Sequence, residues 1–154
     1  MAAFKFRAQI ALDLRRRRDD DAQRALAAAN TAVMAADAAL HAAVLVHDAA
    51  LAASRAAQQQ PAEVATLMWH RNWIIARQRE TDRRRQLLDE RRADAERARQ
   101  TAARTHMDVR VLEKFKERAW RTYTIEVQRA EQKDIDWLAV LKAGAQSAAV
   151  KEHE

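Results

Sequence analysis

Turn formers are almost missing from this chain: its 154 residues include one glycine, Gly144, and one proline, Pro61. Globular folds need turns, and turns draw on Gly, Pro, Asn and Asp to set their dihedral angles. The scarcity excludes a fold of many short elements and leaves Pro61 as the natural place to reverse direction. Cysteine is absent, which excludes a disulfide framework and thiolate metal sites. Aromatic residues make up 5%, too few to fill a thick multilayer core, and much of the 49% hydrophobic content is alanine. One glycine cannot build a phosphate loop, and no two of the five histidines stand four apart as in a zinc-protease pair. Carboxylates such as Asp89 and Glu90 are neighbours on one charged segment rather than groups converging across a cleft. The expectation is a protein that is not an enzyme and uses no metal or cofactor. No apolar run approaches the ~20 residues of a membrane span. The most apolar stretch, 40–53, is interrupted by His41, His47 and Asp48. Lys5 and Arg7 are followed too soon by Asp13 and the run Arg15 to Arg18 for a secretory leader. A cytoplasmic protein without a membrane span is expected.

What is present is helix. An alanine-rich, heavily charged chain with few aromatics has the composition of a coiled coil. Leu26, Ala29, Val33, Ala36, Leu40, Ala43, His47 and Ala50 repeat at 3/4 spacing, a seven-residue pattern with a large residue and a small one alternating along the seam. Alanine at every second core position lets two backbones approach closely, and a hairpin supplies the antiparallel partner within one chain. His47 on that seam reads as a tolerated core polar residue that sets register.

The expected fold is therefore all-α: a long antiparallel two-helix coiled-coil hairpin, in one domain over 1–154, with a short irregular or bent helical tip. Helix one is expected over about 4–58, the tip over about 59–85 and a long C-terminal helix to about 142. Gly144 stands where a C-cap glycine belongs, and residues 145–154, which lack a stripe, are expected to fray. The second stripe runs through Val109, Leu112, Ala119, Tyr123, Val127, Ala130, Leu138 and Leu141. Burying all of it requires pairing the two ends of the chain, with Phe4–Leu14 beside Trp137–Leu141.

Net charge is +6. Arg15 to Arg18 and Arg83 to Arg85 could neutralise phosphates. Asp19 to Asp21 follow the first run and Glu80 and Asp82 precede the second, while no stacking aromatics interleave them. A solvated charged surface is the plainer reading, and no nucleic-acid partner is expected. Trp69 and Trp73 stand at i,i+4 on one helix face with Ile74 beside them. Either the tip folds over these rings, or they form an exposed anchor of the residue type that dominates interface hot spots.

Both ends of the sequence resemble the FliJ family, the small coiled-coil component of the flagellar type III export apparatus. The opening match is Phe4-Lys5-Phe6-Arg7-Ala8-Gln9, followed by Ile10, Leu12 and Leu14. The second is Leu112-Glu113-Lys114-Phe115-Lys116-Glu117-Arg118, then Tyr123, then Arg129-Ala130-Glu131-Gln132-Lys133 with Asp136. The resemblance implies a non-enzymatic stalk that inserts in the hexameric export ATPase ring and links it to the cytoplasmic domain of the export gate. It also implies binding to export chaperones and a place at the cytoplasmic face of the inner membrane, at the flagellar base. On that basis Phe4, Phe6, Gln9, Glu131, Gln132 and Lys133 are the expected ring-binding residues, and Trp69, Trp73 and Ile74 the expected partner-binding residues at the tip. The alternatives are the injectisome counterpart of the same stalk, or a generic basic coiled-coil scaffold or nucleic-acid-binding protein.

Overall fold

The computed structural model describes residues 3–151, with side chains for residues 3–142. The protein is all-α. Helix α1 spans Gln9–Gln58 and helix α2 spans Val64–Lys151, and the two pack against each other as a helical hairpin. The chain divides into two compact units: Met1–Arg15 with Met107–Glu154, and Arg16–His106.

Within the second unit the seam of α1 keeps the 3/4 spacing without interruption. Ala22, Ala36, Ala50 and Ser54 are buried, and Leu26, Ala29, Val33, Leu40, Ala43 and His47 are half-buried between them. The facing positions on α2 are Ile74, Arg77, Thr81, Arg84, Leu88, Ala95, Ala98, Ala102 and Thr105. Asp19 meets Thr105 while Asp37 meets Arg92, so the partners descend as α1 ascends and the pairing is antiparallel. Only Leu88 among the large side chains of this unit is buried, and the rest of its buried seam is Ala, Ser and Thr. Small seam residues bring the backbones together and leave the larger charged neighbours half-covered at the margins.

The turn between the helices is shorter than the sequence pattern suggests. Residues 59–63 alone connect them and form the irregular tip, and α2 is continuously helical from Val64. Pro61 ends the first helix because it supplies no N–H and biases Gln60 away from helical dihedrals. The Gln59 N–H donates to the Ala56 carbonyl at 3.2 Å, closing the last turn of α1. The Glu63 carbonyl then accepts from the N–H groups of Thr66 at 3.0 Å and Leu67 at 3.3 Å, opening α2 just after the proline.

Within the first unit, α1 begins at Gln9 rather than near Phe4. Residues 3–6 carry no regular structure, and 7–8 form the turn into the helix, with the Gln9 N–H donating to the Phe6 carbonyl at 3.1 Å. Over 3–8 the side chains alternate between exposed and half-buried, the period of an extended chain. Phe4, Phe6 and Ala8 are the covered positions, while Lys5 and Arg7 face water. In a helix the two Phe side chains would diverge by about 200°; the non-helical opening lets both cover one partner. Phe4 packs on Trp120, with ring centroids 5.0 Å apart and edge-to-face, and on Tyr123 at 5.5 Å. The expected juxtaposition of Phe4–Leu14 with Trp137–Leu141 is therefore not formed. Within this unit the opening meets α2 at Trp120 and Tyr123 instead. Residues 128–142 are exposed throughout, Trp137, Leu138 and Leu141 among them.

The expected end of the second helix is also corrected. Helix α2 passes through Gly144 to Lys151, so residues 145–151 are helical and only 152–154 of the expected frayed tail lie outside the described residues. A single glycine costs a helix about 1 kcal/mol, and no described residue adopts the positive φ that a glycine C-cap requires. Helix α1 also contains an 18-residue window that is apolar enough, by length and composition, to cross a membrane. Its alanines dilute the few charges, which a reading by interruptions alone does not register.

Candidate functional site

Each unit presents a surface that its own packing leaves open. In the first unit it is a groove lined by Lys5, Phe6, Arg7 and Ala8 from the chain's opening and by Leu112, Phe115 and Ala119 from α2. Phe115 stays half in water at its edge. Two polar contacts tie the opening down beside it: Lys116 Nζ donates to Gln9 Oε1 at 2.8 Å, and Arg15 pairs with Asp108. Gln9 also donates through Nε2 to Asp13 Oδ1 at 2.8 Å, so both ends of its amide are engaged. Of the six residues expected to bind an ATPase ring, Phe4, Phe6 and Gln9 thus gather in this unit around Lys116, Trp120 and Tyr123. Glu131, Gln132 and Lys133 do not join them. They follow Tyr123 on α2 by eight to ten residues, about 12–15 Å along the helix, and are exposed there. Gln132 donates to Asp136 along its own helix at 2.9 Å.

In the second unit the open surface lies along one face. On α2, Trp69, Trp73, Arg77, Glu80 and Arg84 follow at spacings of 4, 4, 3 and 4, which places them in one row. On α1, Ala39, Ala42, Ala43 and Val46 form the opposite wall of a groove against Arg77, Glu80 and Arg84. The indole rings of Trp69 and Trp73 stack 5.8 Å apart and 7° from parallel, with Trp69 59% and Trp73 38% exposed. The tip does not fold over them. Ile74, grouped with them on sequence, turns into the seam instead and is half-buried. The Arg77 guanidinium lies 4.3 Å from the Trp73 ring centre, a cation–π contact. Its Nε is buried without a hydrogen-bond partner, as is Nδ1 of His70.

The second basic run and the charged stretch after it are largely neutralised locally. Arg84 bonds Glu80 at 2.7 Å, Arg85 reaches Asp82 at 3.3 Å, Arg97 pairs with Asp94 and Arg99 with Glu96 at 2.9 Å. These i,i+3 and i,i+4 pairs support the charged-surface reading of that stretch, each contributing little because it is exposed. Among the described residues no three His, Asp or Glu side chains converge on a metal-sized site.

The polar seam escapes a reading of the sequence. Asp19 accepts from the Thr105 hydroxyl at 2.9 Å and lies 3.3 Å from His106 Nδ1. Its one signal is a charged residue at a seam position, legible only once the antiparallel register is known. Burial works against the Asp19 charge, but hydrogen bonds from Thr105, His106 and Gln23 outweigh it and hold the carboxyl below the usual carboxylate range. A folded pKa below the unfolded one stabilises the fold above the unfolded value, near pH 4, and the benefit disappears as pH falls through the folded value. Asp19→Asn is therefore expected to lower stability at pH 7 and to leave it nearly unchanged near pH 2. Denaturant melts of both proteins at the two pH values check this.

Fold and surfaces together define a class: a two-helix, coiled-coil-type hairpin with an open groove in each unit. Compared with family models, curated proteins and solved structures, the chain matches none.

Proposed function

We propose that this protein is a stalk-type component of the flagellar type III export apparatus, acting by binding rather than by catalysis. In this reading the first unit enters the ring of the hexameric export ATPase. The rest of the hairpin engages the cytoplasmic domain of the export gate and handles export chaperones, at the cytoplasmic face of the inner membrane. The observation that carries the proposal is the meeting of the two family-like segments. The Phe4-x-Phe6 opening lies on the stretch from Leu112 to Tyr123, through the Phe4–Trp120 and Phe4–Tyr123 ring contacts and the Lys116–Gln9 bond. The opening motif and the first part of the second motif thus build one surface, as a shared binding role requires, with Glu131 to Lys133 outside it. The adjoining exposed stretch 128–142, with Trp137, Leu138 and Leu141 uncovered, gives that unit an apolar area in need of a partner.

Co-purification with the export ATPase tests the reading. Removing residues 1–9 is expected to abolish both retention on the ATPase and stimulation of its hydrolysis, while helicity measured by circular dichroism changes little. Full retention after that deletion overturns the assignment of the first unit. Binding to an injectisome ATPase in preference to the flagellar one moves the protein to the sister secretion system.

A further inference from the structure

We infer that the groove of the second unit is a docking site for a third helix, and that the helix it takes is amphipathic and acidic. The inference rests on the stalk reading only for which partner supplies that helix; the groove's chemistry stands independently.

Three observations on this face carry it. The first is shape. The α1 wall is alanine at 39, 42 and 43, with Val46 beyond, and the opposite wall is Arg77, Glu80 and Arg84 on α2. Small side chains along a groove between two helices let a third backbone come close, and helix-in-groove binding uses apolar anchors at i, i+3, i+4 and i+7 that such a groove can receive. The stacked Trp69 and Trp73 rings stand at its turn-side end, where they offer a rigid apolar shelf of the hot-spot type.

The second is charge. Residues 64–79 contain three arginines and no aspartate or glutamate. Farther along the row, Glu80 is engaged by Arg84 and Arg83 and so offers little free negative charge. Among the described residues Arg71, Arg77 and Arg79 form no ion pair, and of the three it is Arg77 that lines the groove, with its guanidinium on Trp73.

The third is the unmet polar group. Arg77 Nε is buried with no acceptor, and Arg77 also lines the groove, where a carboxylate can form a charge-assisted hydrogen bond with its guanidinium. A carboxylate on the docked helix meets Arg77 while an apolar residue one turn away rests on Trp69 and Trp73. A bilayer surface fits less well, because the polar connection Gln59, Gln60 and Glu63 lies next to the Trp shelf and would enter the lipid with it.

The test uses the full chain carrying Trp120→Phe and Trp137→Phe, so that emission reports Trp69 and Trp73 alone. The probe is a capped amphipathic peptide of Leu, Ala and Glu, about 20 residues long to be helical. A matched peptide with Lys in place of Glu is the control. The acidic peptide is expected to shift the emission to the blue and to bind at least about tenfold more tightly than the basic one, with an affinity that weakens as salt rises. Arg77→Gln is expected to reduce that affinity about tenfold. Ala42→Trp, at an exposed position on the groove wall away from the buried seam, is expected to block binding with helicity unchanged; the heat of mixing reads this variant, because its new indole adds emission of its own. Equal binding of both peptides, or binding that survives Ala42→Trp, overturns the inference. So does a blue shift produced by phosphatidylglycerol vesicles and by neither peptide. Retention on the export ATPase is read in parallel for Ala42→Trp; it is expected to stay intact, so that failure of the groove and failure of the stalk reading give different results.

Discussion

Leu12→Ala is expected to open the first unit and leave the second folded. Leu12 is fully buried, the only large side chain to be so among the described residues. Its unit has little else to hold it: Val109 is its other buried apolar residue, and Phe4, Phe6 and Trp120 are partly in water. Truncating a buried leucine costs about 2–5 kcal/mol through lost transfer energy and the cavity left behind. A unit resting on a few ring contacts and two polar ties has little reserve against such a loss. Amide exchange is the suitable readout. Protection is expected to fall over residues 9–15 and 107–119 while residues 22–54 and 81–102 keep theirs. A uniform drop over both units shows that they open together and removes the basis for separate stabilities.

The second large effect has the opposite sign from the usual rule for coiled coils. Leucine at a core position normally strengthens a two-helix seam. At Ala102, 2% exposed and facing a seam of Ala22, Ala36 and Ala50 type, Leu is expected to destabilise instead. The backbones are close because these side chains are small, so the added carbons must push helices apart or take strained rotamers, at about 1–3 kcal/mol. Ala93→Leu, on the exposed side of the same helix, is expected to be near neutral. Urea melts of the two variants against the parent decide it. A stabilised Ala102→Leu protein means that the interhelical gap has room for leucine and that alanine is not setting the spacing.

Much of α1 is legible in the residues themselves. Its seam from Leu26 to Ala50 follows directly from 3/4 spacing, because burial along a helix follows a period that sequence displays. The break at Pro61 follows from a missing N–H and a restricted preceding residue. The Trp pair admits two readings, since periodicity places two rings on one face without saying what covers that face. Ile74 shows the limit of grouping by proximity: one step along a helix is 100°, and that step carries it from the Trp row into the seam.

The remaining differences concern register. The apolar stripe through Val127, Leu138 and Leu141 favours pairing the ends of the chain, on the ground that such a stripe should not face water. Within the first unit the contacts of Phe4 with Trp120 and Tyr123 settle the matter otherwise, and residues 128–142 stay exposed. The non-helical opening is equally hidden: Phe-x-Phe fits a helix or an extended chain, and Trp120 and Tyr123 on another segment decide between them.

Composition and periodicity alone determined that this chain is helical, that it folds back once near Pro61 and that alanine lines its seam, because these are local and repetitive properties. Which residues meet across the hairpin was decided only by tertiary structure. The pairing of Asp19 with Thr105, the orphaned Arg77 Nε and the apolar stretch left uncovered after Tyr123 all depend on which distant residues come together. Contacts between residues far apart in sequence leave no periodic mark in it.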